Sequence, residues 1–177
     1  MAGLDPAIHA MGEAMAHTGV QIEVEDWVRE NWMSDQFQQR FYRNRIKLES
    51  GGVFDFDAVS EDKSIAACIS TSGGKTSRGK LAVGKLHKLR SDMLFLHMAV
   101  GVTQKLMILT ELDMLELCEK EKTNGRTPSD IAFRHAPIPE DLQARLIKAR
   151  EIASKEMTGE KVIDVIADEL LVGNEKP

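Results

Sequence analysis

The chain has 177 residues, an apolar fraction of 42% and a net charge of −5, so it is long enough for one domain with a substantial core. Its two cysteines, Cys68 and Cys118, lie too far apart for a metal-ligand motif. The longest apolar run, 93–102, is interrupted by His97 and is too short to span a bilayer. The N-terminal residues do not have the pattern of a signal peptide. Together these features predict a cytoplasmic protein with reduced thiols and no membrane association.

The first half of the chain predicts helices followed by a β-hairpin. Residues 1–20 are rich in Ala and Met and are expected to form an N-terminal helical extension. Residues 22–33 predict an amphipathic helix, and helical character is expected to continue to Tyr42. Residues 53–59 and 65–69 predict two strands joined by a polar turn, and the continuous apolar run of the second is typical of a central strand.

The second half predicts alternating helices and strands. Apolar residues spaced three and four apart make residues 80–100 the clearest helix. The other predicted elements are a strand at 105–110, a helix at 112–122, a strand at 131–135, a helix at 139–157 and an amphipathic helix at 161–171. The alternation predicts an α/β fold with a mixed central sheet flanked by helices. The predicted organisation is an N-terminal extension (1–20), an α/β domain (21–157) and a C-terminal helix and tail (158–177).

Basic residues are concentrated in two segments. Residues 36–48 and 64–91 contain ten Lys and Arg residues and no acidic residue, although the whole chain is acidic. Segregation of this size predicts a positive face that attracts phosphates. The alternative is that these are solvated charges on loop and helix surfaces. The residues predicted to bind nucleic acid are Lys75, Arg78, Lys80, Lys85 and Lys88.

The loop after the second strand also has the spacing of a phosphate-binding loop. Residues 74–80 read Gly-Lys-Thr-Ser-Arg-Gly-Lys and lie between a predicted strand and a predicted helix. The next residue is Leu81, so the hydroxyl that would bind Mg²⁺ in a nucleoside triphosphatase is missing. The favoured interpretation is that the hydroxyls and basic side chains of this loop bind a backbone phosphate of nucleic acid. The alternative is a Gly/Ser loop with solvated charges.

A family resemblance follows from the order of the elements and from short motifs. A helix with acidic residues, the Gly51-Gly52 turn, a strand ending in Phe-Asp-Ala-Val and a strand ending in Ser-Thr-Ser precede a long helix and a further strand. In these features residues 23–139 resemble the PD-(D/E)xK, or restriction-endonuclease-like, superfamily. The resemblance implies a nuclease fold in which an acid on each of two strands binds a divalent metal. It also implies a lysine, two residues after the second acid, that helps to activate water.

Carried onto this sequence, the family motif is incomplete. Asp57 matches the first acid, and Asp55 is a substitute two residues earlier on the same strand. These two are the predicted metal ligands, with Mg²⁺ as the implied cofactor. Cys68 falls at the second acid and Ser70 at the lysine, and neither has the expected chemistry, since a thiol is a soft ligand and a serine carries no charge.

Other side chains are candidates to replace the missing groups. Glu23, Asp26 or Glu30 on the preceding helix would supply an accessory acid. A lysine would come from the loop or the long helix, from among Lys75, Lys80, Lys85 and Lys88. The predicted catalytic residues are Asp57, Lys75 and Lys80. The alternative is that Asp55 and Asp57 form the solvated side of an edge hairpin.

Two classes of function stay open. The first is a diverged nuclease-like protein that binds nucleic acid. The missing acid and lysine favour an inactive form over an active, divalent-metal-dependent phosphodiester hydrolase. The second is a non-catalytic interaction or assembly subunit that retains the nuclease-like fold. The terminal helices are the predicted contacts for a homodimer or a protein partner.

Overall fold

The computed structural model describes residues 19–76 and 79–158, with side chains up to residue 154. The chain divides into two compact units, of which one is Gln21–Pro139 and the other includes the helix that begins at Glu140. Residues 1–18 of the predicted N-terminal extension, the helix predicted at 161–171 and the predicted nucleic-acid-binding residue Arg78 lie outside the described residues.

The first described element is a long helix, α1, over residues 19–37. Its middle, Val28–Met33, is π-helical, and its last turn, Ser34–Phe37, is α-helical. A π-helical segment rotates the residues that precede it relative to those that follow, and such segments often lie at functional sites. The helix ends at Gln38, which adopts a left-handed φ of 54°. The first strand begins three residues later, so the prediction that the helix continues to Tyr42 is wrong.

Five strands form one mixed sheet in the described residues, in the order β1-β2-β3-β4-β5. Their bounds are β1 Phe41–Lys47, β2 Val53–Ser60, β3 Ile65–Ser70, β4 Gln104–Leu109 and β5 Ile131–His135. β2 is antiparallel to both β1 and β3, whereas β3, β4 and β5 are mutually parallel. The prediction of an α/β fold with a mixed central sheet is confirmed, and so is the central strand, since β3 is buried from Ile65 to Ile69.

Two crossover helices, α2 (Val83–His97) and α3 (Leu112–Thr123), join the parallel strands. Parallel neighbours need such connections because a tight turn would reverse the chain. Both helices pack into the same apolar core against the sheet; their contributions are Leu89, Met93 and Leu96 from α2 and Met114 and Cys118 from α3. The last described helix, α4 (Glu140–Thr158), belongs to the other unit.

Helix α2 begins three residues later than the apolar spacing predicts. The reason is a small hairpin, hereafter the loop hairpin, in which residues 80–82 pair back onto residues 74–76. Lys75 and Leu81 form an antiparallel bridge, and the N–H of Ala82 donates to the carbonyl of Gly74 at 2.9 Å. Backbone pairing therefore replaces the first helical turn.

The turn between β2 and β3 is held by one carboxylate, and this makes stability depend on pH. Asp62 Oδ1 accepts from the Ser60 hydroxyl at 2.7 Å and from the N–H and hydroxyl of Ser64 at 2.9 and 2.8 Å. These bonds, with that of Ser60 the strongest, lower the pKa of Asp62. The ionised carboxylate therefore stabilises the fold at neutral pH, and this contribution is lost as pH falls through the lowered folded-state pKa.

We expect Asp62→Ala to lower the urea midpoint of unfolding at pH 7, because three hydrogen bonds lose their acceptor. The difference from the wild type should shrink below about pH 4, where the unfolded chain begins to protonate this carboxyl. Urea titrations at several pH values measure both effects, with Glu61→Ala as the control for a neighbouring exposed acid. A difference that is independent of pH would contradict the role assigned to the carboxylate.

Candidate active site

Asp57 lies at an irregular point of the sheet. Two residues of β2, Asp57 and Ala58, face the single β1 residue Arg43, which makes a β-bulge. Bulges re-aim side chains and recur beside active sites. On its other side β2 pairs with β3 at Ala58 and Val59, so Asp57 lies where this pairing ends. Its Oδ2 accepts the backbone N–H of Ile69 on β3 at 2.8 Å. The carboxylate thereby replaces the main-chain carbonyl that would accept this N–H if the pairing of β2 with β3 continued.

A buried arginine from α1 holds the backbone at this point. Arg29 lies in the π-helical segment, and its side chain is 9% exposed. Its Nη1 donates to the main-chain carbonyl of Asp57 at 3.0 Å, and its Nη2 forms an ion pair with Asp26. The guanidinium thus connects α1 to the bulge, and both of its contacts depend on where the helix places it.

A second carboxyl reaches the same place from α1. Glu25 precedes Arg29 by four residues and is half-buried. Burial raises the pKa of Glu25, and the negative charge of Asp57 raises it further, whereas Arg43, Lys88 and Arg29 act in the opposite direction. Arg43 on β1 forms an ion pair with Glu25 at 3.2 Å. The charge of Asp57 on β2 therefore disfavours ionisation of the Glu25 carboxyl on α1.

The charges around Asp57 identify a lysine that belongs to this cluster. Burial raises the pKa of Asp57, and the Ile69 hydrogen bond and the charges of Arg43 and Lys88 partly offset the rise. Lys88 Nζ donates to Asp92 Oδ2 at 2.8 Å, one turn along α2. Burial lowers the pKa of Lys88, but the hydrogen bond to Asp92 and the charges of Asp92 and Asp57 outweigh this, so its pKa is raised. Lys88 is therefore an ammonium ion at neutral pH.

The two positions where the family motif fails lie on β3, next to this cluster. Cys68 is 2% exposed. Burial raises the pKa of its thiol well above the usual value, and the charges of Asp57 and Asp92 add to the effect. Ser70 ends the strand, where its hydroxyl accepts the N–H of Ser72 at 3.3 Å. Neither side chain carries a charge here.

The other predicted site residues lie in different surroundings. Asp55 is exposed and forms an ion pair with Arg45 on β1 at 3.0 Å. Lys75 and Lys80 are exposed on the loop hairpin, and Lys85 is half-buried on α2. The residues with the strongest effects on the Asp57 carboxyl are instead those of β1, β3 and α2 described above.

Sequence reasoning missed Glu25, Arg43 and Asp92 as parts of the cluster. The sequence did contain a signal for Glu25. Val24 and Val28 are apolar residues four apart, which predicts that they share the buried face of a helix. Glu25 and Arg29 each follow one of them and therefore lie together on the neighbouring face. Arg43 lacked such a signal, since its position opposite Asp57 depends on the bulge.

The family resemblance implies a divalent metal at Asp57, and two carboxyl groups are the candidate ligands. In residues 19–76 and 79–154 no three His, Cys, Asp or Glu side chains are grouped as a closed metal site requires. Glu25 and Asp57 nevertheless supply two hard carboxylate groups whose ionised forms burial disfavours. Glu25 also pairs with Arg43, and Asp57 accepts the N–H of Ile69. Mg²⁺ is commonly held by one or two carboxylates with waters and substrate phosphates, so these residues fit the ion.

The loop hairpin differs from a phosphate-binding loop. In such a loop, successive backbone N–H groups point at the phosphate. Here the N–H of Thr76 donates to the carbonyl of Lys80 at 2.7 Å, and that of Gly79 donates to the carbonyl of Thr76 at 2.9 Å. These two donors are therefore used within the hairpin and do not point at a phosphate.

Comparisons with known proteins leave the family open. No protein-family model, no curated protein and no solved structure matches the chain. None of the described helices combines the length and apolar character needed to cross a bilayer.

Proposed function

We propose that this chain has a restriction-endonuclease-like fold and is a diverged, metal-dependent phosphodiester hydrolase acting on nucleic acid. The observation that carries the proposal is the arrangement around the bulge, where Arg43 lies opposite Asp57 and forms an ion pair with Glu25 of α1 at 3.2 Å. The charge of Asp57 acts on Glu25 and on Lys88 of α2, whose side chain is 73% exposed. Clusters of ionisable groups with perturbed pKa values are typical of functional sites.

The order of the elements supports the fold assignment. The resemblance rests on a helix with acidic residues, two strands, a long helix and a further strand, and the described chain has these elements in that order, with β1 as an additional strand after the helix. Asp57, the residue matched to the first acid, lies where β2 leaves β3, beside the strand that carries the second motif position.

The residues of the chain would have separate roles in this reaction. Asp57 and Glu25 would hold the metal, which when bound stabilises charge on the phosphoryl oxygens and makes water more acidic. Lys88, which stays protonated, would donate a hydrogen bond to the same developing charge rather than accept a proton. Lys88 would thereby take the role of the lysine that the family motif has at the position of Ser70. Asp92 would hold the Lys88 ammonium group in position.

Nucleic-acid binding beside the cluster is the second part of the proposal. Lys88 belongs both to the cluster and to the residues predicted to bind nucleic acid, which also include the exposed Lys75 and Lys80. Phosphate contacts of this kind fix the register of a substrate without reading its sequence.

A second candidate function is an inactive subunit that keeps the same fold. The buried, neutral thiol of Cys68 favours it, because a carboxylate at that position would have completed the metal site. On this alternative the chain assembles with partners and cleaves nothing.

Incubation of labelled DNA and RNA with purified protein and Mg²⁺ or Mn²⁺ tests the proposal. The wild type should cleave, and Asp57→Asn and Lys88→Gln should each lower the rate by about 100-fold, the usual effect of losing one charge-stabilising group. Asp55→Asn is the matched control, since it removes an exposed acid two residues away, and it should cleave normally. Absence of cleavage by the wild type, or undiminished cleavage by Asp57→Asn, would contradict the hydrolase.

A further inference from the structure

The loop hairpin is fixed against the start of α3 by a glycine. A Cβ atom on Gly74 would lie 2.9 Å from the carbonyl oxygen of Asp113 and 3.3 Å from the backbone N of Met114. Only glycine allows so close an approach between two backbones. The hairpin is therefore docked on α3 at a defined place, and its side chains have a fixed relation to those of the helix.

This docking collects exposed apolar residues from three segments. Leu112 precedes Asp113, which contacts Gly74, while Leu81 and Val83 flank Ala82, which pairs with Gly74. The exposed fractions of Leu81, Val83 and Leu112 are 50%, 49% and 58%. Clustered apolar side chains at a surface are typical of a binding site, whereas single ones need no explanation.

Positive charges border the same patch. Lys75 is the bridge partner of Leu81, and Lys80 precedes it; both side chains are exposed. Residues 64–91 contain no acidic residue, so the hairpin itself contributes cations alone. The start of α3 adds one carboxylate, that of Asp113, whose Oδ1 would lie 3.7 Å from a Cβ atom on Gly73. The hairpin surface, defined as Lys75, Lys80, Leu81, Val83 and Leu112, therefore combines cations with apolar groups.

We propose that the hairpin surface binds single-stranded nucleic acid, with the lysines on phosphates and the apolar side chains against unpaired bases. The inference rests on the proposed function and names its substrate class. In a duplex the faces of the bases are stacked inside the helix, and a protein meets mainly phosphates and groove edges. A single strand offers phosphates together with unstacked base faces, and the aliphatic side chains of this surface would bury part of those faces without aromatic stacking. The hairpin also precedes α2, the helix that carries Lys88.

Fluorescence anisotropy with a labelled single-stranded oligonucleotide and a blunt duplex of equal length tests the inference. The wild type should bind the single strand about tenfold more tightly than the duplex, the effect of burying about 50 Å² of apolar surface against the bases. The double variant Leu81→Ser/Leu112→Ser should lose this preference without a change in salt dependence. The double variant Lys75→Gln/Lys80→Gln should weaken binding to both, and its slope of log affinity against log salt should fall by about 1 to 2.

Matched controls separate this surface from the rest of the molecule. Leu94→Ser replaces an equally exposed leucine on α2, and Lys120→Gln an exposed lysine on α3; both should behave as the wild type. Thermal unfolding confirms that every variant is folded. Equal wild-type affinity for single strand and duplex, or equal losses in the control variants, would overturn the inference. No binding to either nucleic acid at low salt would instead refute the proposed function.

Discussion

Arg29→Ala is expected to destabilise the protein by about 2 to 4 kcal/mol, because it removes the donor to the partly buried carbonyl of Asp57 and the packed stem of the buried arginine side chain. The same change frees the bulge that orients Asp57, so metal affinity should fall as well. Urea unfolding measures the first effect, and calorimetric titration with Mn²⁺ of the folded variant measures the second.

Two further variants sharpen this test. Arg29→Lys keeps the charge but cannot reach Asp26 and the Asp57 carbonyl together, so it should recover part of the stability. Arg45→Ala removes an arginine whose side chain is 72% exposed in its ion pair with Asp55, and it should cost less than about 1 kcal/mol. If Arg29→Ala lowered the free energy of unfolding as little as Arg45→Ala does, the contacts of Arg29 between α1 and the bulge would not stabilise the fold.

Phe56→Ala is expected to cost about 3 to 5 kcal/mol, the usual range for deleting a fully buried aromatic ring. Phe56 has no exposed surface, belongs to the core shared by the sheet, α2 and α3, and contacts Phe54 edge-on with ring centroids 4.9 Å apart. Truncation leaves a cavity that the neighbouring β-sheet is too constrained to fill.

Val53→Ala is the matched control for that variant, since Val53 begins the same strand and is 63% exposed. It should change stability by no more than about 0.5 kcal/mol. Urea or thermal unfolding of both variants gives the comparison. A loss below about 1 kcal/mol for Phe56→Ala would contradict the placement of this ring in the core.

Local patterns were sufficient to predict most of the elements. The run from Ile65 to Ile69 is apolar because the strand is buried on both faces, and this constraint is visible in the sequence without knowledge of its neighbours. The apolar spacing of α2 is of the same kind. Where a second segment overrode the local pattern, as at residues 80–82, the predicted boundary was wrong.

The candidate site was harder to predict because it depends on contacts between distant segments. Asp57 could be singled out from its strand motif, but its proximity to Glu25 depends on how α1 packs, and its orientation depends on the bulge opposite Arg43. The approach of Gly74 to Asp113 is likewise a contact across 39 residues of chain that no local pattern encodes. Lys88 was one of four candidate lysines, and sequence alone could not choose among them.

The central claim is that Glu25 and Asp57 form a divalent-metal site, and calorimetric titration with Mg²⁺ and Mn²⁺ tests it most directly. We expect the wild type to bind, and Asp57→Asn and Glu25→Gln each to lower the affinity at least about tenfold. Asp55→Asn, the exposed neighbour paired with Arg45, should bind as the wild type does. Absence of binding by the wild type, or equal losses in Asp55→Asn and Asp57→Asn, would contradict the account.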